Sequence, residues 1–220
     1  MSVSNDSTVL STIGEDGRAS LSSPFIEHCA KVRKDDPSIL PEHGQPFKIR
    51  RMSENEDMEL ADALLENTNV TYLQLNTANY TKRSAEAMAK YVRTSKSLHR
   101  ISWNPNWMTN DRVLQQHKEM LCCFLPAIQE STSLKELDMG LPLIGGPSNL
   151  AFKNMLTHTH SLRSLSLQIS PRLMDVAAVR SGLKKNTTLR ELTLEFQWDA
   201  TTVSPIFTSL RGHPLLRRLC

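Results

Sequence analysis

Apolar residues along this chain fall into a block that reads L-x-x-N/S/T/H-x-x-L-x-x-L-x-L and returns six times. Its copies are Leu64, Asn67, Val70, Leu73, Leu75; Val92, Ser95, Leu98, Ile101, Trp103; Ile128, Ser131, Leu134, Leu137, Met139; Leu156, Thr159, Leu162, Leu165, Leu167; Leu183, Asn186, Leu189, Leu192, Leu194; and Leu210, His213, Leu216, Leu219. The middle apolar position sits at 70, 98, 134, 162, 189 and 216, so the units lie 27 or 28 residues apart except for one step of 36. Ahead of the polar position the spacing is helical, as in Met58, Ala61, Leu64 and Leu65, in Met88 and Val92, and in Val176, Val179 and Leu183. After it, Leu73-x-Leu75 and its counterparts alternate as a strand with one buried face must. Each unit is predicted as helix, turn and strand. The turn position favours side chains that hydrogen-bond free backbone groups and, for Asn, tolerate a left-handed conformation.

A helix burying one stripe and a strand burying one face make no core alone, but stacked in register they give a parallel sheet on one side and a row of helices on the other. The six units resemble the long leucine-rich repeats of the ribonuclease-inhibitor type, over about Ser53 to Cys220. The resemblance implies an α/β leucine-rich-repeat solenoid, a curved horseshoe with the sheet on the concave side and helices on the convex side. The chain departs from that family after each strand, where a recurrent Asn or Cys is replaced by Ala78, Asn106, Pro142, Ser170 and Gln197.

The flanks divide the chain further. Residues 1–24 hold nine Ser/Thr and few large apolar residues, a composition that predicts a disordered tail. Residues 25–52 are read as an N-terminal cap: a helix opened at Ser23-Pro24, carrying Phe25, Ile26, Cys29 and Val32 and ended by Asp35-Asp36-Pro37, then an extended Phe47-Lys48-Ile49. The repeat domain fills 53–220, and Ser53-Glu-Asn-Glu56 is a capping box at its start. The long step places an insertion near 104–111, with Asp111 as an N-cap, and Pro126 predicts a kink or break in the following helix between Cys123 and Ala127. The last unit reads as incomplete and uncapped, so its edge is expected to be sticky: either the sequence is a fragment of a longer protein, the preferred reading, or the open edge pairs with something, a second copy included.

Composition narrows the function. Lys and Arg total 26 against 23 Asp and Glu, a balance too even to select phosphate backbones, so nucleic acid is not the expected partner. No apolar run reaches membrane-spanning length, and the first residues, with Asp6, Glu15, Asp16 and no apolar stretch, argue against a secretory signal or a transit peptide. Cys29, Cys122, Cys123 and Cys220 form no C-x-x-C pair and read as reduced thiols, which suggests the cytoplasm or nucleus. His158 and His160 are read as ordinary loop histidines without a third metal ligand, Cys122-Cys123 as small core fillers, and Gly140–Gly146 as a turn that lacks the lysine of a phosphate cradle. No catalytic constellation, metal site or cofactor site is expected.

Binding is the better-supported role. Alternation turns Tyr72, Gln74, Arg100, Ser102, Glu136, Asp138, Ser164, Ser166, Glu191 and Thr193 away from the core onto the expected concave face, with Arg218 beyond them. A second column, Thr71, His99, Lys135, Arg163, Arg190 and Arg217, precedes the strands, and its like charges sit one strand spacing apart. Tyr80, Trp107, Ile144 and Trp198 fall in the strand-exit loops and are candidate rim anchors for a protein partner. The expected function is a non-catalytic protein-interaction scaffold. Two alternatives remain: regulation of a GTPase, because the fold also resembles that of Ran GTPase-activating proteins, and the sensing part of a larger receptor or ubiquitin-ligase adaptor.

Overall fold

The computed structural model describes residues 21–41, 44–49, 53–75, 80–103, 111–140, 146–169, 176–196, 204, 206–208, 210, 213 and 216–219. Helix and strand alternate throughout: α1 (Ser23–Arg33), β1 (Phe47–Ile49), α2 (Glu54–Glu66), β2 (Tyr72–Leu75), α3 (Lys82–Thr94), β3 (Arg100–Trp103), α4 (Asp111–Glu130), β4 (Glu136–Met139), α5 (Gly146–His158), β5 (Ser164–Ile169), α6 (Val176–Lys185), β6 (Glu191–Phe196) and β7 (Arg218–Leu219). All seven strands join one parallel sheet whose spatial order is the chain order. Each helix from α1 to α6 packs on the next. This is the arrangement of a helix–strand repeat solenoid.

The register shows why the motif repeats. Leu73, Ile101, Leu137, Leu165, Leu192 and Leu219 stand side by side across the sheet, as do Leu75, Trp103, Met139, Leu167 and Leu194. Leu64, Val92, Ile128, Leu156, Leu183 and Leu210 supply the matching helix column, and Val70, Leu98, Leu134, Leu162 and Leu189 floor the turns; all of these are buried in one continuous core. Trp103, in a leucine position, is accommodated by the long helix α4, whose Phe124 ring centroid lies 5.0 Å from its own.

Local chemistry starts the helices. Ser53 and Glu56 close a reciprocal box: Glu56 N–H donates to Ser53 Oγ at 3.4 Å and Ser53 N–H to the Glu56 carboxylate at 2.8 Å. Thr81 and Ser84 repeat it on α3, with donors and acceptors at 3.3 and 3.0 Å. Two such bonds satisfy amides that the helix itself leaves free.

The polar turn position works differently from the sequence expectation. Asn67 is extended, with φ −79° and ψ 136°, not left-handed. Its oxygen accepts the Val70 N–H at 2.7 Å while its Nδ2 donates to the Val32 carbonyl of the preceding unit at 2.7 Å. Asn186 does the same toward Leu189 and Leu156, at 2.7 and 2.6 Å. Ser95 and Ser131 keep the first bond, to the Leu98 and Leu134 amides at 3.1 and 3.3 Å. There a second residue bridges the units: Ser133 Oγ donates to the Ser95 carbonyl at 2.7 Å and Ser161 Oγ to that of Ser131 at 2.6 Å. In the last unit His213 stands in for Asn, its Nδ1 accepting the Leu216 N–H at 3.1 Å, so Nε2 carries the proton given to the Asn186 carbonyl at 2.8 Å. Among the described residues other than glycine, the left-handed one is Asp35, with φ 54°, whose carboxylate receives Thr68 N–H and Oγ1 at 2.9 and 2.6 Å. The region read as a cap is thus built on the repeat plan, with α1 stacked on α2 and β1 paired with β2.

Two further expectations are corrected. Helix α4 runs through Pro126 to Glu130 as one helix, so the break read there does not occur. Proline cannot donate to the Cys122 carbonyl, but both residues face solvent, where water takes the donor's place. Cys122 is exposed and is no core filler, because Leu121, Phe124, Leu125 and Ile128 already fill the inward stripe; Cys123 is half-buried and packs against the edge of the core.

Candidate functional site

Every strand shows its leucines to the helices, so the residues between them line the other face. The register sets Tyr72, Arg100, Glu136, Ser164, Glu191 and Arg218 in one row and Gln74, Ser102, Asp138, Ser166 and Thr193 in the next. Arg100, Glu136 and Glu191 are exposed, and Tyr72, Gln74, Asp138, Ser164, Ser166 and Thr193 half-buried. Ser102 differs: short, and set between the longer Gln74 and Asp138, it is only 7% exposed and offers a partner little.

One part of the row is already organised. The Arg100 guanidinium lies 4.6 Å from the Tyr72 ring centroid, and its Nε is 3.6 Å from a Glu136 carboxylate oxygen. A ring, a cation and a carboxylate on three successive strands therefore hold one another in place. Arginine stacked on an aromatic keeps its remaining N–H donors in the ring plane's surroundings, free to meet a carboxylate or carbonyl.

The loop rim fares otherwise. Tyr80 is 4% exposed, its ring set edge-on to Phe124 at 6.3 Å between centroids, so it belongs to the core and cannot anchor a partner. It precedes the Thr81 cap, which turns it inward as α3 begins. Trp107, Ile144 and Trp198 lie outside the described residues.

Beneath the starts of α2 and α3 is a polar group that pattern reading missed. Asp57 is 4% exposed, and burial, with Glu56 and then Glu54 adding to it against a bond from Ser84, raises its carboxyl to about 7. The same carboxylate, together with burial as the larger cause, pushes the Tyr80 phenol well up, and the Tyr80 hydroxyl has no hydrogen-bond partner. In Glu54-Asn-Glu-Asp57 three carboxylates look alike in sequence, and only the helical phase turns the last one inward.

Metal and nucleophile chemistry find little support here. His158 and His160 are exposed, and His158 Nδ1 sits 3.0 Å from the Asn154 carbonyl of its own helix. Among the described residues no three His, Cys, Asp or Glu side chains gather as a metal group. Burial, with Glu119 for Cys122 and Glu86 first among the charges for Cys123, raises both thiols. Those are protonated thiols, not activated ones. Among the described residues no helix is long and apolar enough to cross a membrane.

No family model matches the chain, and no curated protein matches it. Solved structures do. One, leiomodin-1 actin-binding site 2, is 15% identical with a TM-score of 0.50, over 74% of this chain and 90% of that one. Another, the C-terminal domain of tropomodulin from Caenorhabditis elegans, is 14% identical with a TM-score of 0.46, over 84% of this chain and 91% of that one. At such identity the likeness to leiomodin-1 is one of fold.

Proposed function

We propose that the chain is a leucine-rich-repeat domain of the ribonuclease-inhibitor type that binds a protein partner on its strand face and performs no chemistry of its own. Helices need about 8 to 10 Å of lateral room and strands about 4.8 Å, so the stack closes toward the sheet as a horseshoe with that face concave. The observation that carries the reading is the open strand face: Arg100, Glu136 and Glu191 are exposed on it, and its two rows mix donors, acceptors and both signs of charge, headed by the clasp of Tyr72, Arg100 and Glu136. Interfaces favour such Arg and Tyr anchors.

The GTPase-regulator alternative needs an arginine held out toward a nucleotide. Arg100 is instead drawn onto a ring and a carboxylate of its own sheet, so it is not that arginine. One solved structure that shares the fold is titled for actin binding, which makes actin the first partner to try. The test replaces Glu136, Asp138 and Glu191 together by Ala and compares partner capture with the parent, actin included, after matching thermal stability. Loss of a specific partner supports the face. Equal capture of every partner by both proteins removes it.

A further inference from the structure

The residues just ahead of the strands form a second ladder. Lys135 N–H donates to the His99 carbonyl, Arg163 to Lys135 and Arg190 to Arg163, each at 2.8 Å, and Arg217 to Arg190 at 2.7 Å. The next amide of each unit, from Glu136, Ser164, Glu191 and Arg218, donates to the same carbonyls at 3.0 to 3.1 Å. Each carbonyl thus clamps two N–H groups, and the column cannot spread beyond one strand spacing per unit, about 4.8 Å.

Four permanent cations therefore stand in file. Lys135, Arg190 and Arg217 are exposed; Arg163 is half-buried, with Nη1 donating to the Thr188 carbonyl at 3.1 Å. Among the described residues none of the four has a carboxylate within ion-pair distance. Carboxylates are not scarce: Arg33 is paired with Glu59 and Glu66, Arg93 with Glu130, and Glu136, beside the column, with Arg100. Like charges fixed at this pitch repel, and an anionic partner of matching pitch relieves them.

The pitch and the neighbouring row select the partner. One helical turn advances 5.4 Å, within about half an ångström of the strand spacing, which long Lys and Arg side chains absorb; an extended chain repeats its side every 6.6 Å or so. The adjoining row is mixed in sign, with Glu136 and Glu191 one position along from Lys135 and Arg190, and Arg218 one along from Arg217. A phosphodiester strand or an anionic membrane, negative throughout, meets these carboxylates unfavourably. From β4 to β7 the column and its flanking positions also carry no aromatic on which bases could stack. A helix can present glutamates to the column and lysines to the row beside it.

We propose that Lys135, Arg163, Arg190 and Arg217 form a docking ladder for an α-helix of a protein partner that carries one acidic residue per turn beside a basic stripe. This rests on the scaffold reading and names the partner's chemistry at one border of the strand layer. The two can fail separately, because the ladder variant spares Glu136, Asp138 and Glu191.

The test uses a fluorescein-labelled, alanine-rich peptide of about 20 residues, long enough to be helical, with Glu once per turn on one face and Lys beside it. Its control has the same composition with the charges scattered round the helix. Fluorescence anisotropy should show saturable binding of the striped peptide that weakens about tenfold in Lys135→Gln/Arg190→Gln/Arg217→Gln, the sum of three exposed ion pairs. Arg163 is kept so that the Thr188 carbonyl stays capped. Equal affinity for striped and scattered peptides, tighter binding of a single-stranded oligonucleotide or of anionic vesicles, or unchanged affinity in the variant overturns the proposal. A lowered melting temperature with no loss of affinity also overturns it, assigning the cations to the neutralisation of helix ends.

Discussion

Asn186 ties its own unit to the one before it, its Nδ2 donating to the Leu156 carbonyl at 2.6 Å from a fully buried position. Its oxygen meanwhile accepts the Thr188 and Leu189 amides at 2.9 and 2.7 Å. Asn186→Ala leaves one buried carbonyl and two amides without partners and should destabilise the protein by about 2 to 4 kcal/mol. Asn154→Ala, on the exposed side of α5, should cost less than about 0.5 kcal/mol. Urea titrations of the two variants check the difference, and equal midpoints would remove the ladder's role.

Two buried groups give stability opposite pH dependences. Asp57 ionises near 3.8 when unfolded and at about 7 when folded, so the folded state holds the extra proton between those values and stability falls as pH rises through them, by on the order of 4 kcal/mol. His117, which burial lowers from 6.5 to about 4, has the reverse sign: its neutral form is favoured in the fold, and stability is lost as pH falls from 6.5 toward 4. The wild-type profile should be nearly flat between those limits and decline from about 6.5 to above 7. Asp57→Asn should remove that decline and expose a loss on acidification; His117→Gln should give stability that rises steadily as pH falls. Melting temperatures across the range decide it, and parallel profiles for all three proteins would contradict the assignment.

Thiol labelling should separate the cysteines. In a Cys220→Ser background Cys122, exposed on α4, should react first, though more slowly than a free thiol because its pKa is raised. Cys29 is fully buried, and burial pushes its thiol up to about 11, so it should react only when the protein opens. Mass spectrometry of partly labelled protein reads the order directly. Early labelling of Cys29 would mean that α1 detaches from α2.

Gly182 lets α6 lie tightly against α5. A Cβ there would lie 2.9 Å from Leu156 Cβ and 3.1 Å from the Lys153 carbonyl. Alanine is the better helix former by about 1 kcal/mol, yet backbone and Cβ atoms cannot swing aside, so Gly182→Ala should destabilise by about 1 to 3 kcal/mol. A stabilised variant in calorimetry would show that the helices separate easily.

The architecture was legible because a solenoid writes its core in sequence: the leucine columns at 64, 70, 73 and 75 and their repeats need only period and phase. What period cannot show is which atoms a polar residue meets. Asn67 was marked by its position, yet its bond to Val32 spans 35 residues, and the bridging Ser133 and Ser161 lay outside the motif. The strand face was readable to the residue by alternation, but not the shading of Ser102 or the inward turn of Tyr80, which depend on neighbours across the sheet and on Phe124. Cys122 was misplaced and Asp57 passed over for one reason: adjacent residues on a helix lie about 100° apart, and one step of phase exchanges solvent for core.

Strand order that copies chain order has a mechanical meaning. Among the described residues each rung packs chiefly on the rungs before and after it, so tension between the termini loads them in series rather than sharing the force across a common shear plane. Pulled apart, the molecule should lengthen in steps, each 27-residue unit paying out about 90 Å of chain as it lets go.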